Sequence, residues 1–298
     1  MILVIGDINL DIIVNLREEI NFDTDTQSEI YFAGGGSSAN FSYWLDYLKQ
    51  PVRLVAKTGD DFIVDYLKEE FKDTNIDFIN LTSQEKQTGR VVVLLSKAGE
   101  RSMITDRGAN IDIKPSDIKE KLFKDVEQLH LGGYSFFGGA NMEKTALRAI
   151  KIAKDKNLLI SFDPSSYSGL KEYGIQKILN QTAGIDLCFP NIEEGQVLTD
   201  KKKPKEITHY LLNYYKNVIL KVGKKGCMVG NQEEVSFIQQ KRKLAEGDTT
   251  GAGDAFSAAF IAKYSETKNL KEAGDYANQI GFECVNKIGG RPYNREAR

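Results

Sequence analysis

The sequence predicts a three-layer α/β fold carrying a small second sheet, and three observations point there. Short apolar runs alternate with longer segments of helical periodicity along most of the 298 residues, as parallel strands joined by crossover helices require. Two pairs of strand-like runs break that rhythm with no helix inside either pair, and they cannot enter a parallel sheet without a crossover. Polar residues collect just after several of the strands, where α/β sheets bind their ligands.

Taken in order, residues 2–5 read as a buried strand and 38–49 as a helix bearing Phe41, Trp44, Leu45 and Leu48 at helical spacing. Strand 53–57 and helix 62–71 follow. Further on come strand 128–131, helix 142–156, and strands 158–163, 185–189 and 218–222. The runs 11–16 and 29–33 form the first interrupting pair. The second is 90–96 with 101–106, joined by Lys97-Ala98-Gly99-Glu100, which suits a hairpin. The expected division is 1–10, 34–88 and 108–298 for the α/β core, with 11–33 and 89–107 as a β-sheet lid over the ligand site.

Composition narrows the function classes. Hydrophobic residues at 41% and charged residues at 28% describe an ordinary globular chain. Forty basic and 42 acidic side chains give a formal charge of -2, so the basic footprint of a nucleic-acid binder is missing. Cys188, Cys227 and Cys284 are far apart, and only His130 and His209 stand beside them, which excludes a zinc-like spacing. No apolar run is long enough for a membrane span. Met1-Ile2-Leu3-Val4-Ile5 reads as a strand and not as a leader peptide. A reduced, cytoplasmic setting is expected.

The richest segment is Asp248-Thr249-Thr250-Gly251-Ala252-Gly253-Asp254, which runs straight into an apolar helix with Phe256, Phe260 and Tyr264 at steps of four. A glycine turn at a helix N-terminus offers unpaired amides and the positive dipole end to a phosphate. Asp254 adds a carboxylate where its charge would repel that phosphate. A base for a hydroxyl attacking the phosphate explains it; an ordinary acidic first turn is the other reading.

Four weaker motifs surround it. Asp7, Asn9 and Asp11 follow the first strand, as groups for sugar hydroxyls or as Asx turns. Gly34-Gly35-Gly36-Ser37-Ser38-Ala39-Asn40 leads into the next helix and lacks both the third glycine of a dinucleotide site and the Gly-Lys-Ser/Thr of a P-loop. Asn191 and Glu194, three apart after strand 185–189, fit either Mg²⁺ held through water or a helix cap with an acidic first turn. Lys221-Val222-Gly223-Lys224-Lys225-Gly226 reads best as a hairpin whose lysines are also within reach of phosphates.

In this order the elements resemble the ribokinase or PfkB family of carbohydrate kinases, from Gly6 to about Arg291. The most specific match is 248–256, the family's C-terminal signature. Gly35, Gly36 and Asn40 match its N-terminal one, and Asn191 and Glu194 its Asn-x-x-Glu motif. The resemblance implies a ribokinase-like three-layer α/β/α sandwich with a β-sheet lid. It implies Asp254 as catalytic base with Gly251, Ala252 and Gly253 in the anion hole. Asn9, Asp11, Gly35, Gly36 and Asn40 would bind the sugar, and Asn191, Lys221, Gly223, Gly226 and Asn278 the nucleotide. It implies ATP as phosphate donor, Mg²⁺ through water on Glu194, and a monovalent cation such as K⁺ near Asp248, Thr250 and Gly289.

The chain departs from the family at Lys221 (often Thr), at Ser37-Ser38 (Lys-Gly in ribokinases) and at Ser165 after Asp163-Pro164 (often Asn). The expected activity is γ-phosphate transfer from ATP to a hydroxyl of a small sugar. A nucleoside is the first alternative acceptor, with Tyr31 and Phe32 of the lid stacking on its base. An acidic sugar of the 2-keto-3-deoxygluconate type is the second, with Arg107 on its carboxylate, although a lid-edge surface position suits Arg107 better. A non-catalytic sugar- or nucleotide-binding module is the rival of another class. Exposed lid strands suggest a homodimer formed through the lid sheet.

Overall fold

The first strand of the computed structural model shows how the layers arise. The structure describes residues 1–96, 101–242, 249–286 and 289–292. β1 (Ile2–Gly6) is buried throughout; Ile2 and Val4 enter one hydrophobic cluster, Leu3 and Ile5 another. A strand covered on both faces needs apolar side chains at both parities, hence the unbroken apolar run.

β2 (Asn9–Leu16) and β3 (Ser28–Gly35) leave the core as an antiparallel pair, and the chain returns through α1 (Ser37–Tyr47). β4 (Val52–Thr58), α2 (Phe62–Phe71) and β5 (Asp77–Thr82) extend the main sheet on one side of β1. β6 (Gly89–Leu95) and β7 (Arg101–Asp106) form the second pair; the turn expected at 97–100 lies outside the described residues. The core resumes with β8 (Gln128–Gly132), α3 (Ala140–Asp155), β9 (Leu159–Asp163), α4 (Tyr167–Tyr173) and α5 (Ile175–Gln181). β10 (Leu187–Cys188), α6 (Ile192–Thr199), α7 (Pro204–Leu211) and β11 (Asn217–Lys221) follow. β12 (Gly226–Gly230) and β13 (Val235–Gln239) close the sheet as antiparallel strands, before α8 (Ala252–Thr267) and α9 (Leu270–Val285).

The main sheet runs β13-β12-β11-β10-β9-β8-β1-β4-β5. α1, α2, α8 and α9 cover one face, while α3 and the short helices α4 to α7 cover the other. The second sheet runs β3-β2-β6-β7, with β2 and β6 parallel because a core excursion separates them. Its register puts Asn9, Asp11, Ala33, Val91 and Thr105 on one face. The opposite face carries Ile30, Phe32 and Ile104, which are 62%, 55% and 63% exposed. Among the described residues no helix is long and apolar enough to cross a membrane.

The strand expected at 185–189 contracts to the two residues of β10, although Asp186 N–H to Ile160 O (3.1 Å) and Phe189 N–H to Phe162 O (2.9 Å) continue its bonding on both sides. The hairpin reading of 221–226 matches the β11–β12 pairing. β5, β13, α4, α5 and α7 have no counterpart in the sequence reading, and of α6 only its cap at Asn191 was read. The helices α4 to α7 span only seven or eight residues each, about two turns, too few for a helical period to stand out.

α8 realises the aromatic stripe. Phe260 is fully buried, edge-on to Phe189 at 5.4 Å and stacked with Tyr264 at 5.8 Å between centroids. Truncation of Phe260 to Ala should cost about 3–5 kcal/mol of stability, read by urea unfolding; a loss below about 1 kcal/mol would mean that the α8 layer is loosely packed.

Candidate active site

The site is built where β1 and β9 end and where α1 and α8 begin, in a cleft of about 1080 Å³ roofed by the small sheet. Asp7, leaving β1, accepts the amide N–H groups of Ser37 and Ser38 at 3.1 Å each. It therefore caps α1 from another element, a task for which Gly36 offers no side chain. Two residues on, Asn9 Oδ1 accepts from Asn110 Nδ2 at 2.7 Å, and Asn110 also brackets the backbone of Ile8. Asp11 shares a face of β2 with Asn9, and its carboxylate lies over Gly35. A Cβ there would come within 2.2 Å of Asp11 Oδ1, so a side chain at this position would displace the Asp11 carboxylate. Burial pushes the Asp11 carboxyl up to about 7, with nearby Arg291 opposing and Asp7 and Glu70 adding to the rise.

Opposite stands the glycine turn. Gly251 takes the left-handed conformation (φ 70°), and a Cβ would meet Gly290 Cα at 2.5 Å. Ala255 N–H makes the first bond of the α8 ladder, to Gly251 O at 2.8 Å, so the amides of Gly253 and Asp254 fall in the turn where helices leave donors for a ligand. Asp254 Oδ1 accepts from Ser37 Oγ at 2.7 Å, 217 positions away in sequence. Burial pushes this carboxyl up to about 8, although the Ser37 hydroxyl opposes the rise. Ser37 registered in the sequence only as a departure from Lys. Nothing local could disclose a contact across that separation.

Along the same cleft Lys221 Nζ pairs with Asp163 Oδ2 at 2.6 Å, and Ser257 Oγ donates to that oxygen at 3.0 Å. The ammonium lies 3.5 Å from where a Cβ on Gly253 would sit, beside the anion turn. Burial disfavours the Lys221 charge, but Asp163 and Glu194 outweigh it and hold its pKa above the ordinary lysine value. Asn191 and Glu194 satisfy the capping reading. Asn191 Oδ1 accepts from Glu194 N–H at 2.8 Å, while the Glu194 oxygens accept from Asn191 N–H and Nδ2 at 2.9 Å each. Both also line the cleft. Burial and then Asp163 push the Glu194 carboxyl up to about 7.

Other residues picked out from the sequence sit elsewhere. Gly223 and Gly226, with φ of 56° and 118°, form the turn between β11 and β12. Asn278 donates to Ile238 O at 3.1 Å and ties α9 to β13. None of these three lines the cleft with Asp254. Asp248 lies outside the described residues. Thr250 receives Arg101 on its hydroxyl and Cys284 Sγ on its carbonyl, the latter at 3.4 Å, and Gly289 has φ 88°.

Two expectations are corrected. Arg107 is no lid-edge surface residue: it lines the cleft and donates to Phe137 O and to Tyr134 O, the latter at 2.7 Å. Burial lowers its pKa. Phe32 lies on the outer face of the small sheet, and Tyr31 packs into that sheet's own cluster with Ile13, Val91 and Val93. Neither lines the cleft.

A family model described as pfkB family carbohydrate kinase matches residues 1–297. The chain belongs to this family. It is an enzyme of the phosphotransferase class with an alcohol group as acceptor. It is 26% identical over 292 residues to an ATP-dependent ribose-1-phosphate kinase of Halopiger xanaduensis, covering 96% of this chain and 92% of that protein. The fold superposes on an adenosine kinase from Sinorhizobium meliloti with TM-score 0.88 at 21% identity, covering 98% and 96% of the two chains. Ribokinase from Thermotoga maritima gives TM-score 0.81 at 26% identity over 97% and 94%. These likenesses agree with a ribokinase-like α/β/α sandwich plus a small separate sheet.

A carboxyl held near 8 against an ordinary 3.8 makes the pfkB fold pH-sensitive in a definite direction. The unfolded chain releases the Asp254 proton near pH 4 and the folded chain only near 8, so this group lowers stability as pH rises between those values. Asp254→Asn should therefore be more thermostable than its parent, with a Tm gain that widens from about pH 5 to about pH 8 and then levels. A gain that shrinks with rising pH would contradict the assignment.

Proposed function

We propose that the protein transfers the γ-phosphate of ATP to a hydroxyl of a small sugar, with Asp254 as base. The observation that carries this reading is the position of one carboxyl between two subsites. The backbone of Asp254 belongs to the anion turn, and its Oδ1 meets Ser37 at the start of the helix that faces the acceptor. Asp254 takes the hydroxyl proton as the acceptor oxygen bonds to the γ-phosphorus. The bond from that phosphorus to the β,γ-bridging oxygen breaks, and ADP leaves. The amides of the 251–254 turn face the charge on the transferred group, so positioning and electrostatics carry the catalysis. A carboxyl with a pKa near 8 is a better base at neutral pH than an ordinary one.

Asn9, Asp11, Gly35, Gly36 and Asn40 form the acceptor side, and Lys221 and Asn191 the phosphate side, with Gly223, Gly226 and Asn278 further out toward the nucleotide. Among the described residues no three His, Cys, Asp or Glu side chains gather as a metal cage. Mg²⁺ needs no such cage, because it keeps its waters and binds through phosphates plus one or two carboxylates. Glu194 and Asp163 would hold those waters, and the ion would offset phosphate charge. Closure of the small sheet keeps bulk water from competing with the acceptor. A binding module would gain nothing from a carboxyl placed beside its phosphate site.

A second reading concerns the acceptor. Arg107 is held in the cleft by two carbonyls, with the Asp7 carboxylate favouring its charge from the same cleft. A half-buried guanidinium facing the cleft, with donors beyond the two bound to carbonyls, favours an anionic acceptor, a sugar phosphate or an acidic sugar. The Halopiger relative is named for a sugar phosphate. The nucleoside alternative has lost its proposed stacking pair.

Asp254→Asn should lower kcat by roughly 10²–10⁴-fold while ATP still binds by calorimetry; near-parental turnover would remove it from the base role. In an ATP-consumption assay across neutral sugars, sugar phosphates, acidic sugars and nucleosides, Arg107→Gln should raise KM for the anionic acceptors by roughly tenfold or more. Equal effects on neutral and anionic acceptors would return Arg107 to a structural role. Nucleotide binding without turnover on any of them would favour the binding module.

A further inference from the structure

The segment 289–292 is wedged between the two halves of the site. Gly290 lies against Gly251 of the anion turn, and its carbonyl accepts from Trp44 Nε1 of α1 at 2.9 Å. The next residue, Arg291, is only 9% exposed at its side chain and reaches into the acceptor side. Its Nε donates to Asn40 Oδ1 at 3.2 Å and its Nη2 to Gly35 O at 3.2 Å. Its Nη1 pairs with Glu70 of α2, and the guanidinium lies 4.2 Å from the centroid of the Tyr43 ring. One side chain thus engages two of the residues proposed to bind the acceptor.

We propose that Arg291 is a positioning residue that sets the hydrogen-bond polarity of the acceptor subsite. The inference rests on the sugar-kinase reading above. An asparagine amide has one acceptor end and one donor end. With Oδ1 taken by the Arg291 guanidinium, Asn40 is fixed with Nδ2 as the end left to give. Asp11, held over Gly35, supplies the complementary acceptor. Both residues line the same cleft, and a donor and an acceptor on one wall suit adjacent hydroxyls, one receiving and one giving a proton, and so select a vicinal diol.

The same guanidinium acts on the charge of Asp11. The charged groups that bear on Asp11 are Arg291, Asp7 and Glu70; only Arg291 favours its ionised form. Glu70 pairs with Arg291 and keeps that cation in place. Loss of Arg291 would therefore leave Asp11 with two acidic neighbours and no cation, and its pKa would climb further above about 7. The acceptor subsite would then be protonated at neutral pH and would offer a donor where it needs an acceptor.

The test uses the full-length protein with Arg291→Lys and Arg291→Gln. Without any ligand, the Asp11 carboxyl is titrated by ¹³C NMR; the midpoint should rise in the Gln variant and stay near the parental value in the Lys variant. With ATP, KM is measured for D-ribose, for its 2-deoxy analogue and for ATP. Arg291→Gln should raise KM for ribose by roughly 10- to 100-fold, the effect of losing a charge-assisted hydrogen bond, with KM for ATP unchanged and less discrimination between the two sugars. An unmoved Asp11 midpoint, or equal increases in both KM values, would overturn the proposal. Should Arg291→Gln fail to fold, the Lys variant decides, because it keeps the charge but loses the fork: an unchanged KM for ribose would reject the polarity role. If the parent phosphorylates no sugar, the kinase reading fails on its own, and the ligand-free titration still judges Arg291.

Discussion

The structure depends on one constraint: a half-buried carboxyl must stand beside amides arranged to receive an anion. Asp254 meets it because α8 begins on a glycine that lies against Gly290, where no side chain would fit. A helix started there aims its first amides and its third residue into the same space. Desolvation raises the carboxyl to about 8, so the group that would repel a phosphate when charged is held largely neutral near physiological pH. This resolves the conflict visible in the sequence, an acid at the mouth of an anion site. The acid is compatible with the phosphate while it keeps its proton; once that proton leaves, the carboxylate is a stronger base toward an alcohol than an ordinary one.

The rest of the fold brings an acceptor to that point. Asp7 follows β1 and Asp163 ends β9, and both carboxylates are committed to local duties, one capping α1 and the other neutralising Lys221. The cleft therefore holds several acids, yet few are free to act. Asp7 and Asp163 orient helices and cations, Glu194 closes a capping box, and Asp11 is balanced between burial and Arg291. Such division of labour among like residues follows from environment and not from residue type.

What the sequence disclosed was local. The 248–254 turn, the lead-in at 34–40 and the two strand pairs each lie within a short stretch, and period, glycine spacing and turn chemistry suffice to read them. What it hid was long-range. The Ser37–Asp254 hydrogen bond spans 217 positions and the Arg291–Asn40 contact 251, so no pattern within a window could expose them. Asn110 and Glu70 were missed for the same reason. Arg107 was misread because surface arginines are common, whereas the carbonyls of Tyr134 and Phe137 draw this one inward. Alternation along a lid strand shows which residues share a face but not which face meets the cleft, and Phe32 fell on the outer one.

Direct titration of the Asp254 carboxyl is the most searching measurement. Selective ¹³C labelling of aspartate, with the Asp254→Asn spectrum for assignment, isolates its signal in the free protein. The account predicts a midpoint about 8, well apart from the bulk of the aspartates. A midpoint near the ordinary 3.8 would mean a solvated carboxylate at the turn and would contradict it.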